Sequence, residues 1–315
     1  MSKNKGEKGN LLLELFSEEI PARMQTGSEK QLTNLFEKSL MNRDIGYGPI
    51  STFCSPRHLS VIIKNIDLKQ KNQIIEKRGP RLGSNEKAIH GFLKSNNIQE
   101  NDIVIKDTKN GKFYFYLNQI NGINTSEVLP EIINEIINNF VWPKSQRWAY
   151  SELRWARPLR NILLLFNNQP IEGKVAIDKN NFLNFSTYTF GHRNENKKIE
   201  VENIDEYERL LENNYIILDR KKRKNKIIND IKLLLKDKDI KLLDDDYLLD
   251  EVLGLVEFPN VLIGTIDKQF MNLPKEVLTT AMKVHQKYFS IVDDKNNLAP
   301  KFLFVSNTIP KKERD

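Results

Sequence analysis

Two short stretches of this chain hold residue types that recognise polyanions. Trp142-Pro-Lys-Ser-Gln-Arg-Trp148 and Arg154-Trp-Ala-Arg-Pro-Leu-Arg160 interleave cations with flat rings. A guanidinium offers a planar fork of donors that bonds two phosphate oxygens at once, and an indole stacks on an unpaired base or buttresses the fork. Arg147, Trp148, Arg154, Arg157 and Arg160 are therefore candidate RNA contacts, with Lys144 beside them. The same residues admit a packing reading, in which the tryptophans are core and the arginines pair with acids such as Glu152. Arg220-Lys-Lys-Arg-Lys224 is a denser basic run, but it opens an amphipathic helical pattern and reads better as a solvated helix face.

The remaining reactive residue types are poorly spaced for catalysis. His58, His90, His192 and His285 stand in no His-x-x-x-His or His-Glu-x-x-His pattern. Neither a Gly-x-x-x-x-Gly-Lys-Ser/Thr loop nor Gly-x-Gly-x-x-Gly occurs, and Gly-x-Ser-x-Gly is absent. Cys54, near His58, reads as a small apolar residue at a strand end rather than a nucleophile. Asp244-Asp-Asp246 precedes an apolar helical stripe, which favours a helix cap over a magnesium site. Glu18-Glu19 before Pro21 reads as a polar turn rather than an acid–base pair. No catalytic residue, metal site or cofactor is assigned to the chain.

The elements that must position these residues follow from periodicity. Leu11–Phe16 reads as a buried strand, Ser28–Met41 as an amphipathic helix, and Ile50–Phe53 and His58–Ile66 as two strands, a β-α-β-β opening. Glu76-Lys-Arg-Gly-Pro80 and Leu82-Gly-Ser84 read as a basic, turn-rich junction, followed by a short helix around Ala88–Leu93 and a hairpin arm at Phe113–Gln119. Val128–Val141 carries a strong helical stripe, with Pro130 tolerable in its first turn. Asn161–Phe166 and Thr187–Phe190 are strands, the latter ending in Gly191-His-Arg193. Beyond them come a helix at Ile204–Leu211, a short strand at Tyr215–Leu218, and a helix capped by Asp219. A helix at Leu248–Val256, a strand at Phe258–Gly264, a helix from Pro274 to His285, and a strand pair Tyr288–Val292 with Phe302–Ser306 complete the pattern. The expected architecture is multi-lobed mixed α/β: a disordered tail over 1–9, an α/β region over 10–195 with a sub-boundary near 76–84, and a helix-rich α+β region over 196–315.

Composition is consistent with such a fold. The 315 residues are 39% hydrophobic and 29% charged, with no apolar run long enough to span a bilayer and no signal-like N-terminus, so the expected location is the cytoplasm. One cysteine excludes an intrachain disulfide and a cysteine-based zinc cluster. The net charge of +7 has two readings, a Lys/Asn/Ile-rich composition or a polyanionic partner.

Several short segments in one order carry a family resemblance. They are Ser17-Glu-Glu-Ile-Pro21, Ser55-Pro-Arg57, Glu76-Lys-Arg-Gly-Pro80, Gln146-Arg-Trp148, Arg157-Pro158, Gly191-His-Arg193, Leu249-Asp-Glu-Val252, Val256-Glu-Phe-Pro259 and Pro274-Lys-Glu-Val-Leu278, then Met282 and His285-Gln-Lys-Tyr-Phe289. From Leu11 to Asn307 the chain resembles the N-terminal portion of the beta subunit of bacterial two-subunit glycyl-tRNA synthetases. Ser17, His58 and Trp155 depart from the residues usual in that family. The resemblance implies an alpha2beta2 ligase in which a separate alpha subunit binds ATP, magnesium and glycine, while the beta subunit recognises tRNA(Gly) and completes the assembly. It also implies a full beta subunit about twice as long, and adds Arg57, Arg78, His192, Arg193, Lys283, Gln286 and Lys287 to the candidate tRNA contacts. Other readings are a stand-alone RNA-binding or assembly module, and a hydrolase of mischarged tRNA using Glu18, Glu19 or His285.

Overall fold

The apolar run after Gly9 becomes the middle of the largest sheet. The computed structural model describes residues 7–236 and 238–309. Strand β1 (Lys8–Ser17) leads through helix α1 (Ala22–Asn42) to β2 (Ile50–Cys54) and β3 (His58–Asp67), the β-α-β-β opening the periodicity predicts. Of the tail expected over 1–9, residues 1–6 lie outside the described residues, and Lys8 and Gly9 belong to β1.

An inserted unit follows: β4 (Gln73–Arg81), α2 (Glu86–Asn96), β5 (Ile103–Thr108) and β6 (Gly111–Ile120), forming an antiparallel sheet in the order β4-β6-β5. The expected turn-rich junction at 76–80 is thus a strand. β4 is an edge strand, and a register shift between Arg78 and Arg81 absorbs Gly79-Pro80 as a bulge, where the missing proline N–H costs no ladder bond.

Helix α3 (Thr125–Asn139) then returns the chain to the large sheet through β7 (Leu159–Phe166), β8 (Gln169–Pro170), β9 (Lys174–Ala176) and β10 (Phe182–Ser186). The sheet order is β2-β3-β1-β7-β10-β9, with β8 on β7, and β1 is antiparallel to both neighbours. Strand alternation sends Leu11, Leu13 and Leu15 against α1 and α3, and Leu12 to the opposite face. That second face is covered by residues after the hairpin β11 (Tyr188–Phe190) and β12 (Lys198–Glu200), among them Ile204, Tyr207 and Leu211 of the segment around α4 (Tyr207–Asn213).

The last region packs α5 (Arg220–Leu235) and α6 (Asp246–Leu253) on a sheet ordered β13-β15-β16-β14, made of β13 (Ile240–Leu242), β14 (Asn260–Thr265), β15 (Phe289–Asp293) and β16 (Leu298–Ser306). Asp219 caps α5 through bonds from the Lys221 and Lys222 N–H groups, and Asp245 caps α6 through the Leu248 N–H. Helix α7 (Lys275–Ala281) starts after Pro274 and runs into one π-turn, Met282–Gln286.

One expectation fails here and another fails in part, since Lys221 and Lys222 of the basic run are exposed, and both departures have one reason. Tyr215–Leu218 forms no strand, and Arg223 of the basic run is fully buried rather than solvated. The Arg223 guanidinium donates to the carbonyls of Ile217 (2.6 Å) and Leu218 (2.8 Å) and to that of Cys54 (3.0 Å), occupying acceptors that a ladder would use. The described residues form a mixed α/β fold with no barrel.

Candidate nucleic-acid interface

β1 ends where β3 and β7 begin, so three separate segments meet at one end of the large sheet. Phe16 is opposite His58 on one side and Asn161 on the other. The loop after β1 is pinned between its neighbours: the Ser17 N–H donates to the Arg57 carbonyl (2.9 Å), Glu18 to Pro158 (3.0 Å) and Ile20 to Pro56 (2.6 Å). These bonds place Glu18 and Glu19 between Arg57 on one side and Arg157 and Arg160 on the other. The turn after β11 adds Arg193, because the Phe190 ring packs 4.8 Å from Phe16.

The result is a cleft of about 550 Å³ lined by Arg57, Arg157, Arg160, Arg193, Glu18 and Glu19, with Phe16 and Phe190 in its wall. Arg160 pairs with Glu18 (2.5 Å) and Arg193 with Glu19, both pairs half exposed. Arg157 bonds only its neighbour's carbonyl, that of Ala156 at 3.2 Å, and has no carboxylate partner among the described residues. Glu18 and Glu19 balance Arg160 and Arg193, and a carboxylate behind the cleft balances Arg57, so Arg157 leaves the mouth with a net positive charge.

Arg57 is built in from behind. It is buried, and Glu257 accepts from its Nε at 2.7 Å and Nη2 at 3.0 Å, while Nη2 also donates to the Gly191 carbonyl at 2.7 Å. Burial would raise the Glu257 carboxyl, but the Arg57 hydrogen bonds and the charges of His58, Arg57 and His192 outweigh it and hold the group below the usual carboxylate range. Asn307 fixes the same corner: its Oδ1 accepts from the Glu257 (2.8 Å) and Phe258 (3.2 Å) N–H groups and lies 2.9 Å from His192 Nε2.

Behind Arg57 runs a polar network on the second face of the sheet. The alternation that sends Leu12 there sends Glu14 there too. Its carboxylate accepts from Thr189 (2.6 Å) and Tyr207, and lies 3.0 Å from His58 Nδ1. Tyr207 is also 2.8 Å from Ser60 Oγ. Burial, then the Glu14 charge, push the Tyr207 hydroxyl well above its ordinary range, so it serves as a donor.

The other candidates are dispersed. Arg147 is exposed, and Arg154 is exposed with a bond to Ser145 Oγ (3.1 Å). Trp148 is half buried against the first core. Trp155 is fully enclosed, 5.0 Å from both Phe140 and Trp142, so that ring has no face for a base. His192 is buried against Asn307. Arg78 lies 3.6 Å over the Phe113 ring in the inserted sheet. Lys283 and Lys287 pair with Asp245 (2.5 Å) and Glu251 (3.0 Å) of the α6 segment, while Gln286 is exposed. His285 lines a different groove, with Phe270 and Met282, and is not brought to Glu18 and Glu19.

The cleft therefore collects Arg57, Arg157, Arg160 and Arg193 from three sequence motifs. Glu257, Glu14, Tyr207 and Asn307 join the site only in the folded chain. The available signals were Glu14, a charge inside an apolar run, and Glu257 inside Val256-Glu-Phe-Pro259.

Comparison with known proteins adds a family. The model described as glycyl-tRNA synthetase beta subunit matches residues 11–315. A glycine–tRNA ligase beta subunit of Rickettsia canadensis is 40% identical over 298 residues, covering 94% of this chain and 44% of the relative. That of Rickettsia felis is 38% identical over 300 residues, with the same coverage of 94% and 44%. The chain thus spans less than half the length of these relatives.

Proposed function

The chain belongs to the glycyl-tRNA synthetase beta-subunit family, and on that premise we propose that it serves the ATP-dependent attachment of glycine to tRNA(Gly) in the cytoplasm. In this reading it holds the acceptor side of the tRNA within an alpha2beta2 assembly. A separate alpha subunit carries ATP, magnesium and glycine and makes the bonds.

The observation that carries the proposal is the convergence of Arg57, Arg157, Arg160 and Arg193 on one cleft. Arg157, without a carboxylate partner among the described residues, is the group readiest to take a phosphate. Arg160 and Arg193 exchange a half-exposed carboxylate for a phosphate oxygen, a swap with little desolvation cost because both pairs are already wetted. Arg57 stays fixed by Glu257 and sets the floor against which the backbone registers.

The test is binding of tRNA(Gly) to the full chain with its alpha subunit at several salt concentrations. Arg157→Ala and Arg160→Ala should each flatten the slope of log K against log salt by nearly one unit and lower kcat/KM for tRNA. Glycine-dependent pyrophosphate exchange by the assembly should be unchanged. An unaltered slope with a lower melting temperature would make the cleft scaffold. Pyrophosphate exchange by this chain alone would refute the division of labour, and tRNA binding without alpha-subunit association would favour a stand-alone RNA-binding module.

A further inference from the structure

The inserted sheet has an open face whose composition differs from that of an ordinary solvent face. Cross-strand register puts Val104, Phe115 and Arg78 in one row and Lys106, Phe113 and Arg81 in the next, with Leu117 and Glu76 continuing the same face. Helix α2 lies on the other side: Lys77, whose position alternates with Arg78, donates to Asn96 at the end of α2 at 3.0 Å.

What covers the open face is its own charged side chains. Lys106 on β5 pairs with Glu76 on β4, and these two strands flank β6, so the pair spans the central strand. The Lys106 ammonium lies 5.6 Å from the Phe115 ring, and the Arg78 guanidinium lies 3.6 Å over Phe113. At the same time Ile74 is 64% exposed and Val104 39% exposed. Phe115 is buried beneath this roof, and the stacking surface the face presents is the exposed Arg78 guanidinium backed by the half-buried Phe113 ring and edged by bare aliphatics. On this face Arg78, Arg81 and Lys106 stand against the single acid Glu76.

We propose that this face is a stacking platform for unpaired nucleotides of RNA. A base lies on the plane of Arg78, which Phe113 backs, and the flanking phosphates meet Arg81 and Lys106. Every base has a π-face, so the platform reads single-strandedness rather than sequence. The charge balance favours a polyanion over an apolar protein surface, which would leave three cations to be desolvated. The inference rests on the reading of the chain as a tRNA-binding subunit and concerns a surface separate from the arginine cleft.

The experiment uses the full chain, alone and with its alpha subunit, and follows fluorescence anisotropy of labelled tRNA(Gly) and of oligouridylate. Phe113→Ala should weaken oligouridylate binding roughly tenfold, and Phe113→Tyr, which keeps a ring, should restore it. Arg78→Gln, a change at an exposed side chain, should weaken it several-fold at an unchanged melting temperature, and it decides the matter should Phe113→Ala perturb folding. Unchanged oligouridylate affinity in both variants overturns the platform. So does loss of alpha-subunit association at unchanged RNA affinity, which would make the face a protein interface. If cleft variants lose tRNA affinity while Phe113 and Arg78 variants do not, only the platform fails; if neither set does, the tRNA-binding reading itself fails.

Discussion

Glu257 grips Arg57 with two hydrogen bonds, 2.7 and 3.0 Å long, although the two residues are 200 positions apart in sequence. The contact joins the segment between α6 and β14 to the loop that opens β3, so the arginine at the floor of the cleft is held by the last third of the chain. Removing one partner leaves the other charged and buried. Glu257→Ala should therefore destabilise the chain by about 3–5 kcal/mol, measured by urea unfolding. A joint replacement of Arg57 by Met and Glu257 by Leu should cost clearly less than the single change, since no orphaned charge remains. Equal losses would mean that the pair's energy is not electrostatic.

The same carboxyl makes stability depend on pH in a stated direction. Glu257 titrates below its ordinary value of 4.5 when folded, so near that pH the unfolded chain binds more protons and stability rises with pH. Its contribution is present above about pH 4.5 and is lost as pH falls through the lower folded value. Melting temperature followed across this acid range should fall more steeply for the parent chain than for Glu257→Gln. Parallel curves would show that the group does not carry this dependence.

Cys54 is the only thiol and is fully buried, and burial pushes its pKa up to about 12. The thiolate is the nucleophile, so almost none is present at neutral pH. Iodoacetamide should leave the native chain unmodified at pH 8 and label it fully in urea, as read by mass spectrometry. Labelling of the native chain would mean that the end of β2 opens readily.

The two rim carboxylates should oppose tRNA binding. Glu18→Gln and Glu19→Gln release Arg160 and Arg193 and remove negative charge beside the phosphates, so each should tighten tRNA(Gly) binding a few-fold, an effect of about 0.5–1 kcal/mol. The gain should shrink as salt is raised. Weaker binding in either variant would show that these acids position the arginines rather than compete for them.

Much of the framework was legible from local pattern. The α3 stripe from Val128 to Ile137, the Asp219 and Asp245 caps and the apolar β1 run all appear where periodicity and capping chemistry put them. Two readings, one of a junction and one of a strand, failed where a neighbour rather than the local pattern decided. Glu76-Lys-Arg-Gly-Pro80 carries turn residues, yet β6 supplies a ladder and a bulge takes up the glycine and proline. Tyr215–Leu218 has strand-like residues, yet Arg223 takes the carbonyls of Ile217 and Leu218. Of the candidate site, the arginine types were readable, because a guanidinium's affinity for phosphate belongs to the side chain itself. Trp155 was not, because whether a ring is core or platform depends on what packs against it.

The sequence by itself determined the positions of the main helices, their aspartate caps, the element order of the β-α-β-β opening, and the motif order that marks the family. Tertiary structure decided which charges are buried and which arginines share a cleft. Glu14 reads as an interruption in an apolar strand until the second face of the sheet is covered, and then it anchors Thr189, Tyr207 and His58. Arg57, Arg160 and Arg193 meet only because β1 is paired with both β3 and β7 while β11 packs its Phe190 on Phe16. Strand pairing is set by partners distant in the chain, and no local periodicity encodes which partner that will be.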